Sequence, residues 1–321
     1  MILINNNESK DIQNNNIENN DIRKNIGQKK KNKRENLVLL HGFLASSMLY
    51  SKCFSKLSEK YDIYAIDLLG MGLSSRPDFE ISSVQECIAF FVDSIELLRQ
   101  KLGLKKFYLV GHSFGGYIAS NYTLRHSEIV QKLFLISPIG IRKRSAQENW
   151  QDEKKMIMSA NWKNKLYFIF MHIMWKYRIL PMQIYQSCNV VGDFLLKKYF
   201  QRRFNFGQRE RDMWTHLFTY YSYQKISSEK SIYKMFFYPN LTAYCSVQEQ
   251  IEDLLANNQD HQIQNIPINF FYGDIDWMPQ EGAYNLLNNK KLNVSIYTIQ
   301  RAGHQVIMDN PEQISNFICS L

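Results

Sequence analysis

A serine hydroxyl is a weak nucleophile until a neighbouring base takes its proton. Serines held beside small residues are therefore the first candidates for chemistry. Gly111-His112-Ser113-Phe114-Gly115-Gly116 is the strongest such segment. It follows the apolar run Phe107-Tyr108-Leu109-Val110 and precedes a helical stretch from Phe114 to about His126. A G-x-S-x-G spacing in that setting predicts a sharp strand–turn–helix elbow, with the serine at its tip and glycine backbones packed beside it. Ser113 is the expected nucleophile, and His112 is expected to be structural.

The base must come from elsewhere, and for an elbow serine the chain order is serine, acid, histidine. Of the 7 histidines, His304 is the one that lies just beyond a late strand, Val294–Ile299, and before the last helix. The acid should follow the strand Ile268–Tyr272, where Gly273-Asp274-Ile275-Asp276-Trp277 offers two carboxylates. Asp276 is preferred for orienting the His304 imidazole, and Asp274 stays as the alternative. Either one alone also reads as a turn-forming Asp. Leu40-His41-Gly42-Phe43 closes an early strand. The backbone N–H groups of Phe43 and Phe114 are the expected holders of a developing oxyanion, and His41 is expected to support their loop. Such chemistry needs neither metal nor cofactor, and none is expected.

These residues need elements that end at one place. Leu37-Val38-Leu39-Leu40 is continuously apolar, as in a strand buried on both faces. A helical stretch around 47–60 and a strand Tyr61–Asp67 follow. Ser83-Val84-Gln85-Glu86 reads as a capping box opening a helix that runs to Leu102 and stops at Gly103. Strands Lys106–Val110 and Leu133–Ile136 come next, and after a long interruption Ile268–Tyr272, a helix near 280–289, Val294–Ile299 and a helix from Pro311. This alternation predicts an α/β architecture, a mostly parallel sheet with helices on both faces.

Composition sets the wider bounds. With 45% hydrophobic residues among 321, the chain can bury a substantial core. No stretch approaches the roughly 20 apolar residues that span a bilayer. The start MILINNNESK lacks the basic and apolar regions of a secretory signal. The 5 cysteines lack paired spacing, which points to a reducing, cytoplasmic setting. Residues 1–34, rich in Asn and Lys, are expected to be a disordered tail, with a basic run at Lys29, Lys30, Lys31, Lys33 and Arg34. The net charge of +9 is unevenly spread. Residues 141–240 hold 18 Lys+Arg against 7 Asp+Glu, together with 22 of the 44 aromatic residues.

Taken together, these segments resemble the α/β-hydrolase superfamily. Asp67-Leu68-Leu69-Gly70-Met71-Gly72-Leu73-Ser74-Ser75-Arg76-Pro77 is similar to the D-L-L-G-x-G-x-S-S-R-P segment of α/β-hydrolase domain proteins four and five and their plant relatives. Tyr272-Gly273-Asp274-Ile275-Asp276-Trp277-Met278 is similar to the plant members' Y-G-x-x-D-W-M. The resemblance implies a lipase, phospholipase or lysophosphatidic acid acyltransferase of glycerolipid metabolism. One branch member is a catalytically silent lipase co-activator with Asn at the nucleophile position, whereas this chain has Ser113. His304 and Asp309 fit the branch's H-x4-D, which has been read as an acyltransferase motif. Asp309-Asn310-Pro311-Glu312 reads equally as a helix start. Family members have two strands before the His-Gly strand, so N-terminal edge strands are expected to be missing here.

The resemblance divides the chain into a core of 35–140 and 263–321 and a helical cap at 141–262. Within the cap, Tyr167–Trp175 is hydrophobic almost all round, and Phe168, Met171 and Trp175 are expected to face substrate. Flanking Lys163, Lys165, Lys176 and Arg178, with Trp162, suit contact with an anionic membrane or lipid droplet surface. Basic–aromatic interleaving also suits single-stranded nucleic acid, but that partner leaves the serine, histidine and acid unexplained. The expected function is serine-dependent hydrolysis of lipid-like acyl esters, with acyl transfer or a non-catalytic scaffold as alternatives. Oligomeric state is not readable from the residues.

Overall fold

The computed structural model describes residues 2–4, 34–144, 161–187, 189–203, 207–237, 241–258 and 261–321. A seven-stranded sheet runs through them in the order β1-β3-β2-β4-β5-β6-β7. Its strands are β1 (Ile2–Ile4), β2 (Glu35–Leu40), β3 (Tyr61–Ile66), β4 (Phe107–His112), β5 (Val130–Ile136), β6 (Ile268–Gly273) and β7 (Val294–Ile299). All neighbours pair in parallel except β1, which runs antiparallel to β3 with Leu3 opposite Tyr64.

At residues 2–4 alone, β1 departs from the expected tail without structure and supplies one N-terminal edge strand; residues 5–33 lie outside the described residues. Ile2-Leu3-Ile4 is the apolar run of that tail, with two β-branched residues, and it covers the edge β3 would otherwise present. The basic run Lys29–Lys33 lies outside the described residues.

The parallel strands are buried on both faces, and alternate residues serve two separate cores. Val38, Leu40, Leu109, Leu135 and Phe270 pack one way, toward α2 (Val84–Lys101) and α3 (Phe114–Arg125). Leu37, Leu39, Val110, Ile136 and Phe271 pack the other way, toward α12 (Pro311–Ser320). The expected capping box opens α2: Ser83 Oγ accepts from the Glu86 amide at 3.1 Å, and the Ser83 amide donates to Glu86 Oε2 at 3.2 Å. The stretch expected to be helical near 47–60 divides into a 3₁₀ turn, Ser47–Cys53, and a short α1 (Phe54–Leu57).

Between β5 and β6 the chain leaves the sheet and forms helices. These are α4 (Trp162–Lys176), α5 (Pro181–Ser187), α6 (Asn189–Arg203), α7 (Gln208–Ser222), α8 (Ile232–Met235) and α9 (Val247–Asn257). After β6 come α10 (Glu281–Leu287) and, following β7, α11 (Val306–Asp309). Among the described residues no helix is long and apolar enough to cross a membrane. The carboxyl ends of β2, β4, β6 and β7 lie along one rim of the sheet, where open α/β sheets carry their ligand sites.

Candidate active site

Ser113 occupies the turn between β4 and α3 with φ 53° and ψ −115°, a conformation costly for a residue with a side chain. Two glycines make the turn possible. A Cβ on Gly111 would lie 2.4 Å from the Gly115 carbonyl oxygen, and one on Gly115 would lie 2.4 Å from that of His41. The elbow is therefore packed backbone to backbone against the loop after β2. The Ser113 amide donates to the Ile136 carbonyl at 2.9 Å, fixing the turn to β5.

His304 Nε2 is 3.0 Å from Ser113 Oγ, within reach for proton transfer. Its other ring nitrogen, Nδ1, is 3.4 Å from Asp276 Oδ1. Burial pushes the Asp276 carboxyl toward a higher pKa, but the neighbouring His304 and the Met278 amide outweigh it, and the net shift is downward. Trp277 lies beside the imidazole, with ring centroids 5.0 Å apart. Asp274 does something different: its two oxygens accept from the Arg301 and Ala302 amides, each at 2.9 Å. Those two N–H groups hold its carboxyl below the usual range.

The same loop is tied twice more. Asp309 Oδ2 accepts from the Gly303 amide at 2.9 Å. His112 Nε2 donates to the His304 carbonyl at 2.9 Å. Burial pushes the His112 imidazole down to about 3, so it stays neutral and keeps that proton to donate. Asn310 then caps α12, accepting from the Gln313 amide at 3.1 Å, with Pro311 in the first turn. Asp309 thus belongs to the support of the His304 loop, a role the sequence pattern alone left undistinguished.

Phe43 and Phe114 stand side by side, ring centroids 6.1 Å apart. Among the described residues neither amide is engaged in a loop, turn or cap hydrogen bond to backbone. A Cβ on the adjacent Gly42 would lie 3.2 Å from Ser113 Cβ, so this loop lies directly against the serine. His41 braces it from beneath. Its Nε2 accepts from the Leu68 amide at 3.0 Å, which leaves Nδ1 to donate to the Gly42 carbonyl at 2.7 Å. Burial lowers the His41 pKa and favours that neutral tautomer.

A cavity of about 420 Å³ opens beside these groups, floored by Phe43, Leu44, Ala45, Leu49, Gln305 and Met308. Its roof comes from α5, α6 and α7. Among the described side chains, neither Met171 nor Trp175 of α4 lines it. Trp175 instead packs edge-on against Tyr233 at 4.8 Å, Met171 is half-buried, and the Phe168 side chain lies outside the described residues. The reason is helical phase: Met174 and Trp175 form the stripe of α4 that turns inward, with Trp175 against Tyr233 of α8.

The Asp67–Pro77 segment anchors the helical insertion between β5 and β6. Arg76 Nη1 donates to the Gly70 carbonyl at 2.9 Å and the Lys225 carbonyl at 3.0 Å, and pairs with the buried Glu229 carboxylate. Ser228 Oγ donates to the Leu69 carbonyl at 2.7 Å. Asp67 itself accepts from the Ser47 and Leu73 amides at 2.6 and 2.9 Å.

Comparison with known proteins agrees with this layout. Residues 35–169 match the family model described as alpha/beta hydrolase fold. A probable 1-acylglycerol-3-phosphate O-acyltransferase of Oryza sativa subsp. japonica is 33% identical over 282 residues, covering 86% of this chain and 64% of the relative. The 1-acylglycerol-3-phosphate O-acyltransferase of Arabidopsis thaliana is 32% identical over 284 residues, covering 86% and 63%. The chain therefore spans slightly less than two thirds of the length of these two curated relatives. Among solved structures, Cfl2 of Burkholderia cenocepacia superposes with a TM-score of 0.63 at 18% identity, over 90% of this chain and 88% of that one. By sheet order, by the elbow at the rim and by these matches, the chain has the α/β-hydrolase fold.

Proposed function

We propose that this protein is a serine-dependent acyl hydrolase of glycerolipid or lysophospholipid esters. The observation that carries the reading is the continuous contact from Ser113 Oγ to His304 Nε2 and from His304 Nδ1 to Asp276. His304 takes the Ser113 proton as the hydroxyl attacks the ester carbonyl, and the Asp276 carboxylate stabilises the imidazolium that forms. The Phe43 and Phe114 amides hold the tetrahedral oxyanion. Its collapse expels the alcohol, which takes its proton from His304, and leaves an acyl-Ser113 ester. Water, deprotonated by His304, then releases the acid.

The relatives named as 1-acylglycerol-3-phosphate O-acyltransferases favour a second outcome for the same intermediate. A lysophospholipid hydroxyl in place of water would take the acyl group and yield a new ester. Both outcomes need Ser113. A fluorophosphonate probe should label the wild-type protein and leave Ser113→Ala unlabelled, and the variant should lose about 10⁴-fold or more of its turnover. Equal labelling of the two would remove Ser113 from the mechanism. Product analysis with a labelled phospholipid, with and without lysophosphatidic acid, separates free fatty acid from transferred acyl chain.

Contact with a lipid surface belongs to the same proposal. On α4, Trp162, Leu166, Ile169, Phe170, Ile173 and Tyr177 are exposed, Trp162 by 70%. They recur at three- and four-residue spacing and so form one outward stripe. Lys165, Lys176 and Arg178 are exposed or half-buried around it. An apolar stripe bordered by cations suits an anionic interface. Phosphatidylserine vesicles should co-sediment the protein at low salt and less at high salt, and absence of binding at both removes this part of the reading.

A further inference from the structure

The cavity beside Ser113 has a neighbour. A second chamber of about 190 Å³ shares Leu44, Ala45, Pro181 and Phe218 with the first. Phe218 is the one aromatic ring among the four shared residues. Its position is fixed by other rings, with centroids 5.2 Å from Phe200, 6.3 Å from Trp214 and 6.1 Å from Tyr221. The second chamber is also lined by the buried Arg76–Glu229 pair.

The larger chamber is built for hydrocarbon. Among the described residues that line it none is charged, and its roof is Pro181, Tyr199, Phe200, Trp214 and Phe218. Its size lies within the roughly 300–1,000 Å³ of pockets that enclose whole ligands. Phe43, the candidate oxyanion donor, and Gln305, next to the candidate base, both border it. A chain attached to a carbonyl held at Ser113 therefore has this chamber directly beside it.

We infer that the larger chamber is the subsite for a long fatty acyl chain, and that Phe218 is the partition that sets how long a chain fits. The inference rests on Ser113 as the acyl-accepting residue and adds which chains reach it. Removing the ring opens the larger chamber toward the second, with which it shares that wall. Enlarging it closes the larger one early. Arg76 and Glu229, which line the second chamber, neutralise one another, so an extended chain there meets a paired charge and not a lone one.

The test measures rates of Ser113 labelling by methyl, octyl and hexadecyl fluorophosphonates, each below its micelle-forming concentration. In the wild-type protein the octyl probe should react faster than the methyl probe, with a gain of up to about fourfold for each methylene that finds apolar contact. Phe218→Ala should raise the hexadecyl-to-octyl ratio by about 10-fold or more, and Phe218→Trp should lower it, each ratio being taken within one variant. Phe218→Leu, the milder change, should shift the ratio in the Ala direction and covers the case in which Ala does not fold. Equal rates for the three probes in the wild type, or one unchanged ratio in every variant, would overturn the subsite while leaving Ser113 as nucleophile. Absence of labelling by all probes would overturn the proposed function, and this inference with it.

Discussion

The loop that carries His304 and the helices that roof its cavity are held by opposite means. From Arg301 to His304, three amides and one carbonyl are each bound by a side chain from another segment: Asp274 after β6, Asp309 in α11 and His112 at the end of β4. Such bonds are directional, and they fix the backbone from which the imidazole projects. The roof is held largely by rings. Phe200, Trp214 and Tyr221 pack on Phe218, and its directional ties to the core include the Arg76–Glu229 anchor, Lys52 paired with Glu210 at 2.9 Å, and Tyr221 Oη, which donates to Ser46 Oγ at 2.7 Å. Ring packing is tolerant of exchange as long as volume is kept. The difference teaches where this molecule keeps its chemistry constant and where it is free to change its substrate.

The sharpest way to break that contrast is to exchange the two aspartates. Asp276→Asn should lower turnover by about 10⁴-fold, because an amide no longer stabilises the imidazolium. Asp274→Asn should cost far less, about 10-fold, through a loosened loop, and should also lower the melting temperature. Steady-state kinetics of the two variants decide the matter. A larger loss from Asp274→Asn would mean that Asp274, and not Asp276, orients the base.

A second prediction uses pH. His112 is held near 3 by burial, whereas an unfolded histidine titrates near 6.5. Below pH 6.5 the unfolded chain binds a proton that the folded chain refuses, so this group's contribution is complete above pH 6.5 and is lost as pH falls toward 3. Between pH 7.5 and pH 5 it should account for about 2 kcal/mol of lost stability. His112→Gln, which keeps a donor for the His304 carbonyl, should lose about that much less on acidification. Urea unfolding at the two pH values measures it, and equal losses in both proteins would refute the buried neutral imidazole.

A third prediction concerns the H-x4-D pair. Asp309→Ala leaves the buried Gly303 amide without its acceptor and should cost about 1.5 kcal/mol. Because Asp309 acts on His304 and not on an acceptor substrate, hydrolysis and any acyl transfer should fall by the same factor. Transfer lost with hydrolysis intact would give the motif a chemistry of its own.

Much of this was legible in the residues, for reasons that the contrast explains. The elbow, the base and the strand ends follow from local rules: small residues at a strained turn, apolar runs buried on both faces, and a fixed chain order. What was not legible depends on where side chains point after folding. Asp274 and Asp276 are two residues apart, and only the positions of the Arg301 and Ala302 amides separate a loop brace from an acid beside His304. The cavity joins residues near 43–49, 181–218 and 305–308, a combination that no local pattern announces. The phase of α4 was not legible because its outward and inward stripes are both apolar. The three residues of β1 are too few for a periodicity, and their partner strand was the missing information.

That doubled apolarity of α4 gives the smallest predicted effect on stability and the cleanest separation of the two regions. Ile169 is more than half exposed on the outward stripe, whereas Met174 on the inward one is 4% exposed. Ile169→Glu removes no buried contact and should change stability by no more than about 0.5 kcal/mol, with fluorophosphonate labelling of Ser113 in free solution unchanged. Placed against an anionic interface, the same carboxylate is repelled and must be desolvated, so co-sedimentation with phosphatidylserine vesicles should fall several-fold. Met174→Ala should do the reverse, costing about 2–5 kcal/mol of stability through the cavity it leaves. If Ile169→Glu destabilised the fold as much as Met174→Ala, the outward stripe would be part of the core. If it left vesicle binding untouched, the basic rim of the cap would have to hold the membrane without the stripe.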